Sequence, residues 1–462
     1  MTTPTIFAKE ALLADLASGL SEKALLSGAD QLETYRFDMA SFSPAGVPVA
    51  VVRAASRDDV VHALRTASKH GIPVVPQGAM SGLSGAGNAI DGCLVLSVRD
   101  MNRILEISVD DQVAVVEPGV LNKELSHAVA EQGLFYPPDP GSWEISTIGG
   151  NVATNAGGMC CVKYGVTGDF VRGLELVLAD GTVLETGRRT AKGVAGFDLT
   201  SLVVGSEGCL GVITKVILGL KPAPRPSLTM AATFPDSASG LAAVTAIMAS
   251  GVTPSLMEFL DPISVAAVNA LQDMGFDDDC ALILAQSDSP EALEDVARMA
   301  KIATANGAID VAESADDQEA AMLLQSRRSL HAALEVLGGN FTDDVAVPRV
   351  RMLDLLAGIE EIAERNDIKV ATAGHAGDGN MHPTVIFDRA DEAAKARAAV
   401  AFEEIMLLGL ELGGTITGEH GVGILKREGL RRELSATSLR LQEEIKHSFD
   451  PQGILNPGKQ IG

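Results

Sequence analysis

Four side chains in two glycine-flanked segments could share one divalent cation. They are His375 and His382 in His375-Ala-Gly-Asp-Gly-Asn-Met-His382, and Glu419 and His420 in Gly418-Glu419-His420-Gly421. A helix would set the first two histidines about 10 Å apart along its axis, too far for one ion, and its interior would not welcome Gly377 and Gly379. A hairpin turning at Asp378-Gly379 instead pairs Gly377 with Asn380, Ala376 with Met381, and His375 directly with His382, with the last two Cβ atoms about 5 Å apart. Two histidines and a carboxylate leave coordination positions open, as a catalytic ion requires.

Two further segments suggest phosphate binding. Pro76 to Gly87 reads PQGAMSGLSGAG and Ser146 to Gly158 reads STIGGNVATNAGG, each following a strand-like run. Such small residues let backbone N–H groups converge on an anion, so the two loops together could cradle a diphosphate. Gly82-x-x-Gly85-x-Gly87 is not the ordered G-x-G-x-x-G of nicotinamide folds, and no Walker-type Lys-Ser/Thr follows. The five cysteines (Cys93, Cys160, Cys161, Cys209, Cys280) form an odd set without C-x-x-C. They imply neither a disulfide framework nor an iron–sulfur cluster, and read as buried thiols.

The elements that must position these groups are legible in outline. PVAVVRAA, SRDDVVHALRTASKHG and IPVVPQG read as strand, helix and strand, with Ser56 as the helix cap, Val60, Val61, Leu64 and Ala67 on roughly one face, and Gly71 at the left-handed closing position. CLVLSV follows, then ILEISV and QVAVVEPG joined by a hairpin at Asp110-Asp111, then a helix bounded by Asn122 and Gly133. KPAPRP, Lys221 to Pro226, has the proline density of a linker. Beyond it long helices interleave with isolated strands, the clearest being SPEALEDVARMAKIATANG and DEAAKARAAVAFEEIMLLGLELGG. His62, His70, His127 and His447 lie in polar helical stretches and read as surface residues.

At 462 residues the chain is too long for one core and suits two or three domains. Its 36 basic and 61 acidic residues give a net charge of −25, which argues against nucleic acid and broad contact with anionic lipid. A small acidic substrate must then be drawn in by local positive charge. Met1 to Leu20 has no basic region followed by an apolar core, and no run approaches the roughly 18 apolar residues of a spanning helix. The expectation is a cytoplasmic protein, with peripheral association at the inner face of a membrane left open.

The segments VVRAASRDDVVHAL, IPVVPQGAMSGLSG, YPPDP, STIGGNVATNAGG, VKYG, LVLADGTV, VGSEGCLGVIT and LNPGK occur in the order found in the FAD-linked oxidases with the vanillyl-alcohol oxidase and para-cresol methylhydroxylase fold, which the chain resembles over most of its length. The resemblance implies an α+β fold in three parts: a two-subdomain FAD-binding domain of the para-cresol methylhydroxylase type over residues 1–225, an α+β substrate or cap domain with an antiparallel sheet over 226–415, and a C-terminal segment, 416–462, returning to the FAD domain. It implies flavin contacts from Pro76, Gly78, Ala79, Met80, Ser81, Gly82, Leu83, Asp139, Pro140, Thr147, Gly150, Asn151, Asn155, Gly157, Gly158, Tyr164, Glu207, Gly211, Ile213 and Asn456. Some members attach flavin through a histidine near the first loop; QGAMSG has none, so the FAD is expected to be noncovalent.

HAGDGNMH together with GEHGVG resembles the D-2-hydroxy-acid branch of that fold, which includes D-lactate dehydrogenases, the flavin subunit of glycolate oxidase and D-2-hydroxyglutarate dehydrogenase. The likeness implies His375, His382 and Glu419 as ligands of one divalent metal, zinc first with manganese or iron as alternatives, and His420 as the base. It selects Arg327 in LLQSRRSLH, over Arg328, to hold the substrate carboxylate by a two-pronged contact. Where the hydroxyglutarate enzymes carry a Thr and a Lys for a distal carboxylate, this chain has His331 and Thr342, and Thr384 resembles the HPTVIFD pattern of glycolate and lactate members. These departures favour D-lactate or glycolate as substrate. Asp344 reads as a strand anchor. Reduced flavin would pass electrons to a quinone, cytochrome or carrier protein, and a homodimer is compatible with the sequence. The competing expectations are a flavin subunit that works only within a multi-subunit glycolate oxidase complex, a hydroxyglutarate dehydrogenase, a metal hydrolase built on the same histidines, and a non-redox flavoprotein.

Overall fold

A computed structural model describes residues 6–40 and 42–461, so the first five residues of the Met1–Leu20 segment lie outside the described set. Two compact units result. The first comprises Met1–Gly157, Val166–Ala223 and Glu419–Gly462; the second comprises Gly158–Gly165 and Pro224–Gly418. The division after Ala223 falls inside the proline-rich Lys221–Pro226 linker, and the chain re-enters the first unit at Glu419. The short excursion at Gly158–Gly165 has no compositional marker. It belongs to the second unit because the Lys163 ammonium pairs with Asp288 and Val162 packs against Gly377.

In the first unit, strands Leu25–Leu26, Ala50–Arg53, Leu94–Ser97 and Val74–Gln77 form one sheet in that order, with the last three parallel. Helix Arg57–His70 makes the crossover. The Ser56 side chain accepts from the Asp59 N–H, and Gly71 closes the helix at φ 63°. Val60, Ala63, Leu64 and Ala67 enter the core, whereas Val61 is only half-buried. A second, antiparallel sheet runs Ile104–Ser108, Val113–Val116, Val212–Gly219, Val171–Val177, Val183–Gly187. Two histidines read as surface residues have structural work instead. His62 lies 3.1 Å from the carbonyls of Asp15 and Leu16, and His70 pairs with the Asp15 carboxylate, so both fasten helix Ile6–Ala17. Cys93, Cys209 and Cys280 are buried as expected; Cys160 and Cys161 are only half-buried.

The C-terminal segment adds a parallel bridge, Val74 to Leu455, and then buries Lys459 completely. Its Nζ donates to the carbonyls of Ala86 (2.9 Å) and Asn88 (2.6 Å), fixing the end of the first glycine-rich loop. Burial lowers this ammonium to about 8, against the pull of nearby acidic groups including Asp38 and Glu207.

The second unit is built on an antiparallel sheet ordered Asp310–Glu313, Leu228–Phe234, Ala281–Ser287, Leu256–Leu260, Lys369–His375, Asn380–Phe387, Gly339–Thr342, with Val345–Ala346 also on Asn380–Phe387. Leu256, Leu260, Leu282, Leu284, Ala371, Ala373 and Ile386 share a core with Val265 and Val268 of helix Pro262–Leu271 and with Leu330, Ala333 and Leu334 of helix Gln325–Leu337. The strands that lie between helices in sequence are joined into the expected antiparallel sheet, by pairings between residues distant in sequence. Among the described residues no helix is long and apolar enough to cross a membrane.

Lys459→Met should strand the Ala86 and Asn88 carbonyls and remove a cation beside buried acids. Destabilisation of about 3 kcal/mol is expected, read as a lowered denaturant midpoint. An unchanged midpoint would show that the ammonium contributes nothing to holding the loop.

Candidate active site

The hairpin carrying His375 and His382 has a different register from the one its sequence suggests. His375 pairs with Asn380, Gly374 with Met381, and Ala373 with His382, leaving a four-residue connection, Ala376 to Gly379. The Asp378 and Gly379 N–H groups both donate to the His375 carbonyl, at 3.0 and 3.1 Å, and Gly379 takes φ 79° with its would-be Cβ 2.1 Å from the Val347 carbonyl. This connection replaces the two-residue turn. Relative to the expected pairing the register shifts by two positions, which preserves the face each side chain occupies; a shift of one would have separated the histidines. They become diagonal rather than direct neighbours, with ring centroids 5.0 Å apart at 82°.

Glu258 completes this cluster. The strand register pairs Phe259 with Gly374 and Leu260 with Ala373, so its next step sets Glu258 opposite His375. His375 Nδ1 lies 2.7 Å from Glu258 Oε1, and Arg327 Nε donates to Oε2 at 2.6 Å. Burial opposes ionisation of Glu258, but His375 and Arg327 outweigh it and hold the carboxyl below its ordinary value. With Nδ1 engaged by Glu258, Nε2 is the ring nitrogen that could serve a cation. Asp344, fully buried, approaches His382 Nδ1 at 3.7 Å and accepts from Asn380 Nδ2 (2.7 Å) and Thr417 Oγ1 (2.6 Å). It therefore does anchor strands, and it also stands behind the second histidine.

Among the substrate candidates, Thr342 and Thr384 are cross-strand partners with hydroxyl oxygens 3.1 Å apart. Arg327 is mostly buried, whereas His331, one turn further along the same helix, is 63% exposed and faces Glu335 at 3.4 Å. Arg328 lines a surface pocket of about 420 Å³ with Arg225, Gln286 and Asp317. Gly158 and Tyr164, expected at the flavin, lie in the second unit, where the Tyr164 hydroxyl donates to Asp288 Oδ2 at 2.5 Å.

In the first unit the two glycine-rich loops meet. A Cβ on Gly78 would fall 2.6 Å from Thr147 Oγ1, so only glycine permits this approach. The buried Asn151 amide nitrogen has no hydrogen-bond partner among the described residues. A cradle of bare backbone with a spare donor suits an anionic cofactor. Asn155 instead spends its side-chain oxygen on the Gly168 N–H. Asn456 Nδ2 ties the loops to the Glu207 and Ala86 carbonyls, at 2.7 and 3.1 Å. Gly208, next to Glu207, packs on Pro76, and Gly211 packs on Leu176. Ala79, Met80, Ser81, Gly82 and Leu83 are half-buried along the first loop, as is Asp139; Pro140 and Ile213 are buried.

The Glu419–Gly423 segment lies against this cradle. Glu419 abuts Gly157, whose Cβ would meet its carboxylate at 2.6 Å, and the Glu207 carboxylate accepts from the N–H groups of Val422 (2.6 Å) and Gly423 (2.8 Å). Glu207 was expected to contact flavin; its carboxylate holds the loop bearing His420. Burial raises it to about 7. Glu258, Asp38 and Lys459 were not anticipated in any role. The signal for Glu258 was a lone charge within the otherwise apolar strand LMEFL, since carboxylates are rarely buried unless paired.

Comparison with known proteins agrees with this construction. The chain matches the FAD binding domain over residues 48–187 and the C-terminal domain of FAD linked oxidases over residues 223–460. It is 40% identical to the glycolate oxidase subunit GlcD of Bacillus subtilis over 90% of this chain and 89% of that one. It is 33% identical to D-lactate dehydrogenase of Anaerostipes hadrus over 95% of both. The structure of p-cresol methylhydroxylase with substrate bound superposes with a TM-score of 0.78 at 18% identity, over 99% of this chain and 97% of that one, which establishes the fold alone.

Because Glu207 keeps its proton in the folded state up to about 7 against an ordinary 4.5, its contribution to stability falls as pH rises across that window. Glu207→Gln has no such titration. Thermal midpoints of the two proteins should therefore diverge in the variant's favour between pH 4.5 and pH 7 and run parallel above it. Parallel curves throughout would show that this carboxyl titrates normally.

Proposed function

Because this chain belongs to the FAD-linked oxidases, we propose that it oxidises a short D-2-hydroxy acid, D-lactate or glycolate, to the 2-oxo acid. The observation that carries the reading is the pair of imidazoles 5.0 Å apart with a buried carboxylate on one and an arginine on that same carboxylate. That arrangement supports a reading in which a metal ligand on the sheet and a carboxylate-binding arginine on a helix share one buried carboxylate. The family relationship supports FAD as cofactor, and the names of the relatives support the substrate class.

In this reading His375, His382 and Glu419 hold one divalent ion, zinc before manganese or iron. When bound, FAD supplies a two-electron acceptor and the cation supplies charge that favours the alkoxide. Arg327 orients the substrate carboxylate. Glu258 occupies Nε, so the terminal Nη pair is not consumed by that contact. Thr342 and Thr384 offer hydroxyls beside the histidines on the same sheet face. His420 accepts the hydroxyl proton, with the unperturbed imidazole range of about 6.5 suited to a base near neutrality. The flavin is held by the loops around Pro76–Leu83 and Thr147–Gly157, with Asn456 behind them. Gly158, Tyr164 and His331 are retained as contacts on resemblance alone.

A second reading is favoured by one observation, that a relative at 40% identity is named as a subunit. The chain would then deliver electrons to companion subunits rather than directly to a quinone, cytochrome or carrier protein. A hydroxyglutarate dehydrogenase is less favoured, because Thr342 stands where a distal carboxylate would need a cation.

Anaerobic addition of D-lactate or glycolate should bleach the flavin band, L-lactate should not, and chelator should suppress the reaction. His420→Ala should slow bleaching by about 10²–10⁴-fold while leaving the flavin bound. A yellow protein unreduced by any 2-hydroxy acid would sink the assignment.

A further inference from the structure

Resting on the metal-dependent reading above, we propose that Glu258 is a positioning residue that couples the metal ligand His375 to the carboxylate-binding Arg327. Its two oxygens are divided between them: Oε1 takes His375 Nδ1 at 2.7 Å and Oε2 takes Arg327 Nε at 2.6 Å. The carboxylate is fully buried on strand Leu256–Leu260, so neither contact is diluted by solvent. The strand register and the helix Gln325–Leu337 bring the two partners to it from different elements. Three consequences follow from this geometry. A carboxylate on Nδ1 selects the tautomer with its proton there, leaving Nε2 as the electron-pair donor. It raises the basicity of that donor. It also fixes the roll of the guanidinium, and hence the direction of its terminal nitrogens.

Few other groups could replace it. Glutamine has one acceptor oxygen where two donors must be met, and its amide would point an N–H at either the imidazole or the guanidinium. Aspartate keeps the charge but is one methylene shorter, so it cannot span both partners from the same backbone position.

The test uses the full-length flavoprotein, stripped of metal and titrated with Zn²⁺ alone against a competing chromophoric chelator. Glu258→Gln should weaken Zn²⁺ binding by roughly 10–100-fold while flavin content is retained. The same variant should raise KM for the 2-hydroxy acid by roughly 10-fold, the loss expected when an anchoring hydrogen bond to a charged group is impaired. In a His375→Ala background Glu258→Gln should change Zn²⁺ affinity less than about 3-fold, because the interaction it supports is already gone. If Glu258→Gln does not fold, Glu258→Asp carries the test, with a smaller loss of affinity in the same direction.

Full Zn²⁺ affinity and unchanged KM in a folded, flavin-loaded variant would overturn the proposal. So would an equal loss of affinity with and without His375, since that marks a merely structural charge. A wild-type protein that binds Zn²⁺ through His382, shown by loss of affinity in His382→Ala, but is indifferent to Glu258 rejects the coupling and leaves the metal reading standing. A wild-type protein that binds no Zn²⁺ rejects both.

Discussion

Antiparallel register fixes the chemistry of the second unit. Strand Lys369–His375 pairs with Asn380–Phe387 so that His375, His382, Thr384 and, across the next strand, Thr342 project from one face. On the other side, Leu256–Leu260 delivers Glu258 to the same face. One residue of slip in either pairing would send half of these groups to the opposite side of the sheet. The apolar residues between them resist such a slip, because Leu256, Leu260, Leu282, Leu284, Ala371, Ala373 and Ile386 would all leave their shared core. The hydrophobic pattern thus positions the polar side chains among it: Leu284 is the cross-strand partner of Glu258, and Ala373 of His382.

The first unit solves a related problem with buried charge. Asp38, Glu207 and Lys459 are all withdrawn from water, and each serves backbone groups of a loop that has little side chain of its own to pack. Asp38 accepts from the N–H groups of Ala40 (3.0 Å) and Gly85 (2.8 Å), Lys459 donates to the carbonyls of Ala86 and Asn88, and Glu207 accepts from the N–H groups of Val422 and Gly423. Burial raises Asp38 to about 6 for the same reason that it raises Glu207. Glycine-rich loops suit an anionic ligand because their backbone is bare, and that bareness leaves them without a core. Charged side chains from outside the loops supply the order.

Local signals were the readable ones. Ser56 and Gly71 bound their helix because capping and the left-handed closing position depend on neighbours within a turn. The glycine loops and both histidine segments were likewise visible, as was, in kind though not in register, the hairpin joining His375 to His382. Its turn length depends on Val347 and Val162, which are remote in sequence from Gly379 and Gly377. Glu258 was invisible as a partner of His375 because 117 residues separate them. His62 and His70 looked solvent-facing only because nothing in their own helix reveals that Ile6–Ala17 docks there. The excursion Gly158–Gly165 escaped notice for the same reason: tertiary partners, Asp288 above all, assign it to the second unit.

The overall charge of −25 sharpens the question of how an anionic substrate is attracted. Arg327 cannot answer it alone, because Glu258 already cancels its charge at 2.6 Å. The Glu258 carboxylate thus offsets the guanidinium's charge at the point where the substrate carboxylate would dock. On the reading proposed, the positive charge that draws in a 2-hydroxy acid must come chiefly from the bound cation, and Arg327 supplies direction more than attraction. Affinity for the acid is then tied to metal occupancy through Glu258, which supports a ligand of the ion with one oxygen and aims the guanidinium with the other.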